Sequence, residues 1–138
     1  MSVEIVKINA LVNADVNKAW NCYVQPEHIV KWNFASDDWQ CPWAENDLRI
    51  GETYKARMEA KDGSFGFEFE AVYIAITEAE SFTYVMPDGR NVMVKFTPQE
   101  NGTLIEVDFD AETQNPVELQ RQGWQAILNN YKAHTEAI

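Results

Sequence analysis

The sequence predicts an α+β domain in which a curved antiparallel β-sheet wraps around a long C-terminal helix. Short segments of alternating apolar and polar residues follow one another from about residue 39 to residue 110. Turn sequences such as Asp62-Gly63 and Asn101-Gly102 separate them, as expected for consecutive hairpins. From about residue 116 the apolar side chains recur with helical spacing instead. A sheet with one apolar face and a helix with one apolar stripe can bury both surfaces against each other.

A first strand and two short helices are predicted before the hairpins. Residues 3–12 alternate and are rich in β-branched residues, which predicts the first strand. Asn13 or Asp15 can cap a helix over about 14–24, because a short side-chain oxygen accepts a hydrogen bond from a free backbone N–H. Pro26 ends this helix and begins the second, since proline fits the first helical turn.

Six strands are predicted in the middle of the chain. They span about 39–46, 51–60, 65–77, 81–86, 90–97 and 103–110. In the strand over 65–77, Phe67 and Phe69 alternate with Glu68 and Glu70, which predicts one buried face and one face in water. Acidic residues on the wet face account for much of the negative charge.

The C-terminal helix has the clearest start signal. The segment Asn115-Pro116-Val117-Glu118 offers a capping residue, a proline at the first helical position and a glutamate at the third. The predicted helix runs from 116 to about 136 and would be about 30 Å long, enough to cross a sheet. Its apolar stripe consists of Val117, Gln120, Trp124, Ile127, Leu128 and Tyr131.

Composition limits the class of protein and its partners. The 138 residues, 46% of them hydrophobic, suffice for one core, and we expect a single domain over 1–138. The net charge of −11 disfavours nucleic acid and anionic membranes as partners. No apolar run approaches the ~18 residues of a membrane span. The start of the chain does not resemble a signal peptide, so a cytoplasmic location with reduced thiols is expected.

No metal, cofactor or catalytic motif is apparent. His28 and His134 have no Cys, His or carboxylate at ligand spacing along the chain, so we expect no metal site. The sequence has no nucleophile elbow, phosphate-binding loop or dinucleotide-binding glycine pattern, so no cofactor and no catalytic residue are assigned. Cys22 is interpreted as a core residue of the first helix, because nothing near it in sequence would stabilise a thiolate.

Several segments resemble the bacterial single-domain form of the family named after the activator of the heat-shock-protein-90 ATPase. The matching segments are Ala14–Trp20, Pro26–Trp32, Leu48–Glu52 and, in the last helix, Gly123-Trp124 with Leu128 and Tyr131. The family belongs to the START-like superfamily, also called SRPBCC or Bet v 1-like. The resemblance covers nearly the whole chain. It implies the helix-grip fold, and it implies that a deep cavity separates the sheet from the long helix.

The candidate site is a set of aromatic and apolar side chains that either line such a cavity or simply form the core. The set is Trp32, Trp39, Trp43, Tyr54, Met58, Phe67, Phe69, Tyr84, Trp124, Leu128 and Tyr131. Lining of this kind suits an apolar or amphipathic ligand. The first hypothesis is therefore a small-molecule binding domain, as a monomer or a homodimer. The resemblance also implies a co-chaperone-like interaction domain with a chaperone as partner, and less strongly an enzyme related to cyclases or hydrolases.

Overall fold

The predicted α+β architecture is confirmed in a computed structural model, which describes residues 4–138. Seven antiparallel strands form one curled sheet in the order β1-β7-β6-β5-β4-β3-β2. The strands are β1 (Ile5–Val12), β2 (Trp39–Asn46), β3 (Thr53–Ala60), β4 (Gly66–Thr77), β5 (Ser81–Val85), β6 (Asn91–Gln99) and β7 (Gly102–Asp110). The helices are α1 (Val16–Val24), α2 (Pro26–Ile29) and α3 (Val117–Ala137).

The two short helices begin at the residues that their local sequence favours. The Asp15 carboxylate accepts a hydrogen bond from the backbone N–H of Lys18 at 2.8 Å, so Asp15 rather than Asn13 is the cap of α1. Pro26 occupies the first turn of α2, where its missing N–H costs nothing. The predicted first strand began at residue 3, which lies outside the described residues.

The start of α3 differs from the prediction, and the interpretation of Asn115 as its cap was wrong. The helix begins one residue later than expected, so Pro116 takes the cap position and no side-chain cap forms. The Gln120 side chain turns back instead and donates from Nε2 to the carbonyls of Asn115 (2.8 Å) and Glu112 (3.1 Å). Gln120, the polar member of the predicted stripe, thus fixes the loop that precedes α3.

Helix α3 lies along the edge strand β1 and over β7. Arg121 Nη1 donates to the carbonyl of Lys7 at 3.1 Å, and Gln125 Nε2 donates to that of Asn9 at 3.0 Å. These bonds satisfy carbonyls that an open sheet edge would expose. Trp124 stacks on Phe109 of β7 with ring centroids 4.1 Å apart.

The core lies where β1, β6 and β7 turn every second side chain inward, beneath α1 and α3. These buried residues are Val6, Ile8, Ala10, Val12, Val92, Val94, Phe96, Ile105, Val107 and Phe109. From α1, Trp20 packs edge-on against Phe96 and Phe82, with ring centroids 5.1 and 5.8 Å away. Over residues 4–138, none of the helices has the length and apolar character to cross a membrane.

Candidate ligand-binding site

A cavity of about 660 Å³ lies between the concave face of the sheet and the helices. It arises because α3 packs along one edge of the sheet, on β1, and leaves a gap over β3, β4 and β5, whose inward side chains line the cavity together with side chains of α3 and of the loops. A volume of this size falls within the range of roughly 300–1,000 Å³ typical of small-molecule sites.

Nine of the eleven predicted site residues line this cavity. They are Trp32, Trp39, Tyr54, Met58, Phe67, Phe69, Tyr84, Trp124 and Leu128. Three rings on adjacent strands form the aromatic wall. Tyr54 of β3, Phe69 of β4 and Tyr84 of β5 have ring centroids 5.7 to 5.9 Å apart. The alternation of β3, β4 and β5 brings the three rings onto one face.

The other two predicted site residues lie elsewhere. A register shift in β2 between Gln40 and Trp43 turns Trp43 to the outer face of the sheet, opposite Arg57, where it is 38% exposed. Tyr131 of α3 is fully buried, and its hydroxyl donates to the carbonyl of Ala19 on α1 at 2.6 Å. Trp43 is thus a surface residue, and Tyr131 joins α1 to α3.

Two tyrosines of the cavity wall have hydroxyls without a hydrogen-bond partner in the described residues. Tyr23 and Tyr84 both line it, and neither hydroxyl makes a hydrogen bond with the rest of residues 4–138. No side-chain polar atom in that part of the chain is both buried and unpaired, so these hydroxyls remain accessible. Burial raises the pKa of both hydroxyls above the ordinary range, and the other tyrosines around them add to the rise. Both groups therefore stay neutral donors at physiological pH.

Other polar groups in the wall are partly or fully used by the protein. Asn33 Nδ2 donates to the hydroxyl of Tyr54 at 3.3 Å. The hydroxyl of Tyr73 donates to Asn46 Oδ1 at 2.8 Å, and Asn46 Nδ2 donates to a carbonyl of α1. These bonds fix side chains in the wall of the cavity.

Charged side chains of the lining stand at the mouth. Glu68 and Asp88 are exposed, and Arg90 pairs with Asp88 through Nε at 2.7 Å. The exposed lining residues, which mark the mouth, are Ala35, Ser36, Phe67, Glu68, Pro87 and Asp88. The interior presents rings, methyl groups and neutral hydroxyls, so a charged group of a ligand would be most stable at the mouth.

Sequence reasoning missed several cavity residues. The alternation that placed Phe67 and Phe69 on the inner face extends to Tyr73 and was sufficient to find it. Tyr23 could have been found from its place on the apolar side of the first helix. Asn33 carries no such signal, because a polar residue in a loop usually faces water.

The structure also places Cys22, His28 and His134 close together, which no pattern in the sequence predicted. We expected the two histidines to have no Cys or His nearby, yet the ligand atoms of Cys22, His28 and His134 all lie within 4.8 Å of one another. The expectation rested on spacing along the chain, whereas three different helices supply these side chains.

Comparison with known proteins agrees with the fold and with this architecture. The family model described as Activator of Hsp90 ATPase homolog 1-like protein matches residues 13–136. The AHSA1-like protein of Aeromonas hydrophila is 36% identical, with a TM-score of 0.92 over 97% of this chain and 93% of that chain. A protein of Cytophaga hutchinsonii is 42% identical, with a TM-score of 0.80 over 98% and 92%.

The search of curated proteins found no match. Among solved structures, more distant relatives share the fold. Protein CV1439 of Chromobacterium violaceum, at 20% identity, has a TM-score of 0.85 over 96% of this chain and 97% of that chain. The predicted helix-grip fold is thereby confirmed. The chain belongs to the family of proteins like the activator of Hsp90 ATPase homolog 1, within the START-like superfamily.

Proposed function

We propose that this protein binds an apolar or amphipathic small molecule in the cavity between α3 and the sheet. The observation that carries the proposal is a cavity of about 660 Å³ whose wall is largely aromatic and aliphatic. Removal of apolar ligand surface from water contributes roughly 25 cal/mol per Å², so a cavity of this kind favours a largely hydrophobic ligand.

The polar groups of the wall restrict the ligand further. The free hydroxyls of Tyr23 and Tyr84 can donate hydrogen bonds, and their raised pKa keeps them protonated. A ligand with a carbonyl, hydroxyl or ether oxygen on an apolar body would satisfy both. An anionic head group would instead be placed at the mouth, where the Arg90 guanidinium uses only Nε in its bond to Asp88.

Gly123 offers a way to fill the cavity without disturbing the fold. It lines the cavity on α3, and a Cβ added to it would have no atom within 4 Å. Gly123→Leu should therefore occupy ligand space and, since leucine is a better helix former than glycine, raise stability by up to about 1 kcal/mol. Gln122→Leu places the same side chain at the exposed neighbouring position and is the matched control.

The test is binding of the neutral apolar dye Nile red, followed by its displacement with a panel of fatty acids, sterols and aromatic ketones. The wild type and Gln122→Leu should bind at micromolar concentration, whereas Gly123→Leu should bind at least tenfold more weakly at unchanged helicity. Equal binding by the two variants, or no binding by the wild type to any member of the panel, would contradict the proposal.

A second candidate function is contact with a chaperone, which the family suggests. The observation in its favour is an aromatic cluster in which the exposed Phe65 and Phe67, at the β3–β4 hairpin, lie beside the half-buried Trp39 of β2. Phe65 is 63% exposed and Phe67 42%, and Trp39 has ring centroids 5.9 and 6.2 Å from theirs. Rings grouped on a surface in this way often mark a protein contact.

The chaperone hypothesis has its own test. Purified Hsp90-type chaperone from the same organism should retain the wild type in a pull-down and should lose the double variant Phe65→Ser/Phe67→Ser. Trp43→Ser, which removes an exposed ring outside this cluster, is the control and should be retained. Retention of all three proteins, or of none, would count against this function and would leave the cavity proposal untouched.

A further inference from the structure

One thiol and two imidazoles meet where the three helices come together. Cys22 lies on α1, His28 on α2 and His134 in the last turn of α3. His28 Nδ1 and His134 Nε2 are 3.0 Å apart, and the Cys22 sulfur lies within 4.8 Å of both rings' ligand atoms. None of the three lines the cavity, so the cluster has no part in the ligand site described above.

We propose that Cys22, His28 and His134 form a binding site for a zinc-class transition-metal ion. One sulfur and two nitrogens would supply three ligands of a tetrahedral ion, and water would take the fourth position. The ion would join α1, α2 and α3 at one point.

The distances suit such an ion after small side-chain movements. Zinc binds histidine nitrogen at about 2.0–2.1 Å and cysteine sulfur at about 2.3 Å, which places ligand atoms of a tetrahedral site roughly 3.3–3.6 Å apart. The two histidine nitrogens, at 3.0 Å, would separate by a few tenths of an ångström. The sulfur, which lies within 4.8 Å of the nitrogens, would approach to about 3.6 Å.

The donor atoms select the class of metal. Thiolate and imidazole suit Zn²⁺, Co²⁺ and copper, whereas Mg²⁺ and Ca²⁺ require oxygen ligands. Neither imidazole makes a further side-chain hydrogen bond with residues 4–138, so the bonds that an ion would replace are the one between the two rings and the one between the Cys22 thiol and Thr135. Both histidines are partly exposed, which gives an ion and its water access from solvent.

The surroundings of the cluster affect the ion in two opposite ways. The positive charges of Lys18, close to Cys22, and of Lys31, close to His134, weaken the electrostatic attraction of the site for a cation. Burial raises the pKa of the Cys22 thiol, against smaller lowering effects of Thr135 and Lys18, so the ion must displace a proton that the folded protein holds. Burial lowers the pKa of His134, with smaller contributions from His28 and Lys31, which favours the neutral imidazole that binds metal. On binding, the sulfur–hydrogen bond of Cys22 breaks, a sulfur–metal bond forms, and the proton leaves to solvent.

The experiment titrates Co²⁺ into the reduced, metal-free full chain and records the absorption spectrum. A thiolate-to-cobalt charge-transfer band, with the visible bands of a tetrahedral ion, should appear and saturate at one equivalent. One equivalent of Zn²⁺ should abolish both, and a hundredfold excess of Mg²⁺ should not. Cys22→Ser should remove the charge-transfer band, and His134→Gln should weaken Zn²⁺ binding at least tenfold.

Cys41→Ser is the matched control, because Cys41 is the other buried free thiol of the described chain. It should bind cobalt like the wild type. Thermal melting in a chelator shows whether each variant folds, and the half-exposed position of His134 keeps His134→Gln informative should Cys22→Ser unfold. Absence of a thiolate band in the wild type would overturn the proposal, as would a band that survives Cys22→Ser. Weak binding that all variants share would show only ion attraction to the acidic surface and would also overturn it.

Discussion

The two sides of the sheet handle their inward apolar residues differently. On the closed side, formed by β1, β7 and β6, inward residues such as Val6, Val94 and Phe109 are at most 1% exposed. On the open side, formed by β2, β3 and β4, the inward rings become more exposed towards the β3–β4 hairpin. Phe69 is half-buried there, and Phe67 is 42% exposed.

The position of the helices causes this difference. Helix α3 lies along β1 and contacts β7 through Trp124, and α1 packs Trp20 against β6. A straight helix that follows one edge of a curled sheet cannot also touch the other side, so the concave face of β3 and β4 faces a cavity instead. The comparison suggests that stability resides mainly on the closed side and that the open side is available for binding.

The two edges of the sheet are protected by different means. Side chains of α3 bond to carbonyls of β1, whereas β2 contains Pro42, which has no N–H, and an irregular register beside it. Proline and bulges both hinder the addition of a further strand. The closed side therefore owes its edge protection to tertiary contacts and the open side to local sequence.

The largest expected difference comes from the same truncation on each side. Phe109→Ala removes a ring that is 1% exposed and stacked on Trp124, and we expect it to lower the free energy of unfolding by about 3–5 kcal/mol. Phe67→Ala should cost about 1 kcal/mol, because that ring is already 42% exposed. Urea denaturation measures both. Equal losses would show that the open side is as important to stability as the closed side.

Glycines in the two hairpins give the next comparison. Gly102, the first residue of β7, has φ +142°, and an added Cβ would lie 2.0 Å from the carbonyl oxygen of Val12. Gly102→Ala must therefore displace the end of β1 and should cost roughly 2–3 kcal/mol. Gly63→Ala, in the β3–β4 hairpin, meets no atom within 4 Å and should cost about 1 kcal/mol for its φ of +78° alone. Urea denaturation measures both variants. A smaller loss of stability for Gly102→Ala than for Gly63→Ala would contradict the close approach of Gly102 to Val12.

The fold was largely predictable because its signals are local. Strand alternation, the Asp62-Gly63 and Asn101-Gly102 turns and the apolar stripe of α3 each depend on neighbouring residues only. The start of α3 was mispredicted because Gln120 holds the loop through a contact that the sequence pattern at Asn115 does not reveal. Local capping rules fail where a side chain from the next turn takes over the bonding.

The candidate site was less predictable, because it depends on register and on distant contacts. An uninterrupted alternation along β2 would turn Trp43 to the inner face of the sheet. Only the register shift after Gln40 turns it outward. The meeting of His28 with His134 requires the end of α3 to reach α2, more than a hundred residues away in sequence. Periodicity carries no information about such contacts.

The edge of the closed side predicts a smaller effect. Gln125→Ala removes the hydrogen bond to the carbonyl of Asn9 and should lower the free energy of unfolding by about 1 kcal/mol. Gln122→Ala changes an exposed glutamine on the same helix and should cost no more than a few tenths of a kcal/mol. Chemical denaturation of the two variants gives the comparison. Equal effects would mean that α3 does not stabilise the β1 edge through this bond.

The smallest effect concerns pH and the buried thiol of the open side. Burial raises the pKa of Cys41 from 9.0 to about 11, against smaller lowering contributions from Asn33 and Trp43. Between pH 9 and 11 the unfolded chain therefore loses a proton that the folded chain keeps, and stability falls as pH rises. We expect Cys41 to account for less than about 1 kcal/mol of this fall at pH 10, allowing for solvent screening. Denaturation of the wild type and Cys41→Ser at pH 7.5 and pH 10 should show a smaller decrease for the variant. An identical decrease in both proteins would mean that the thiol on β2 is not held away from water as the packing of the open side requires.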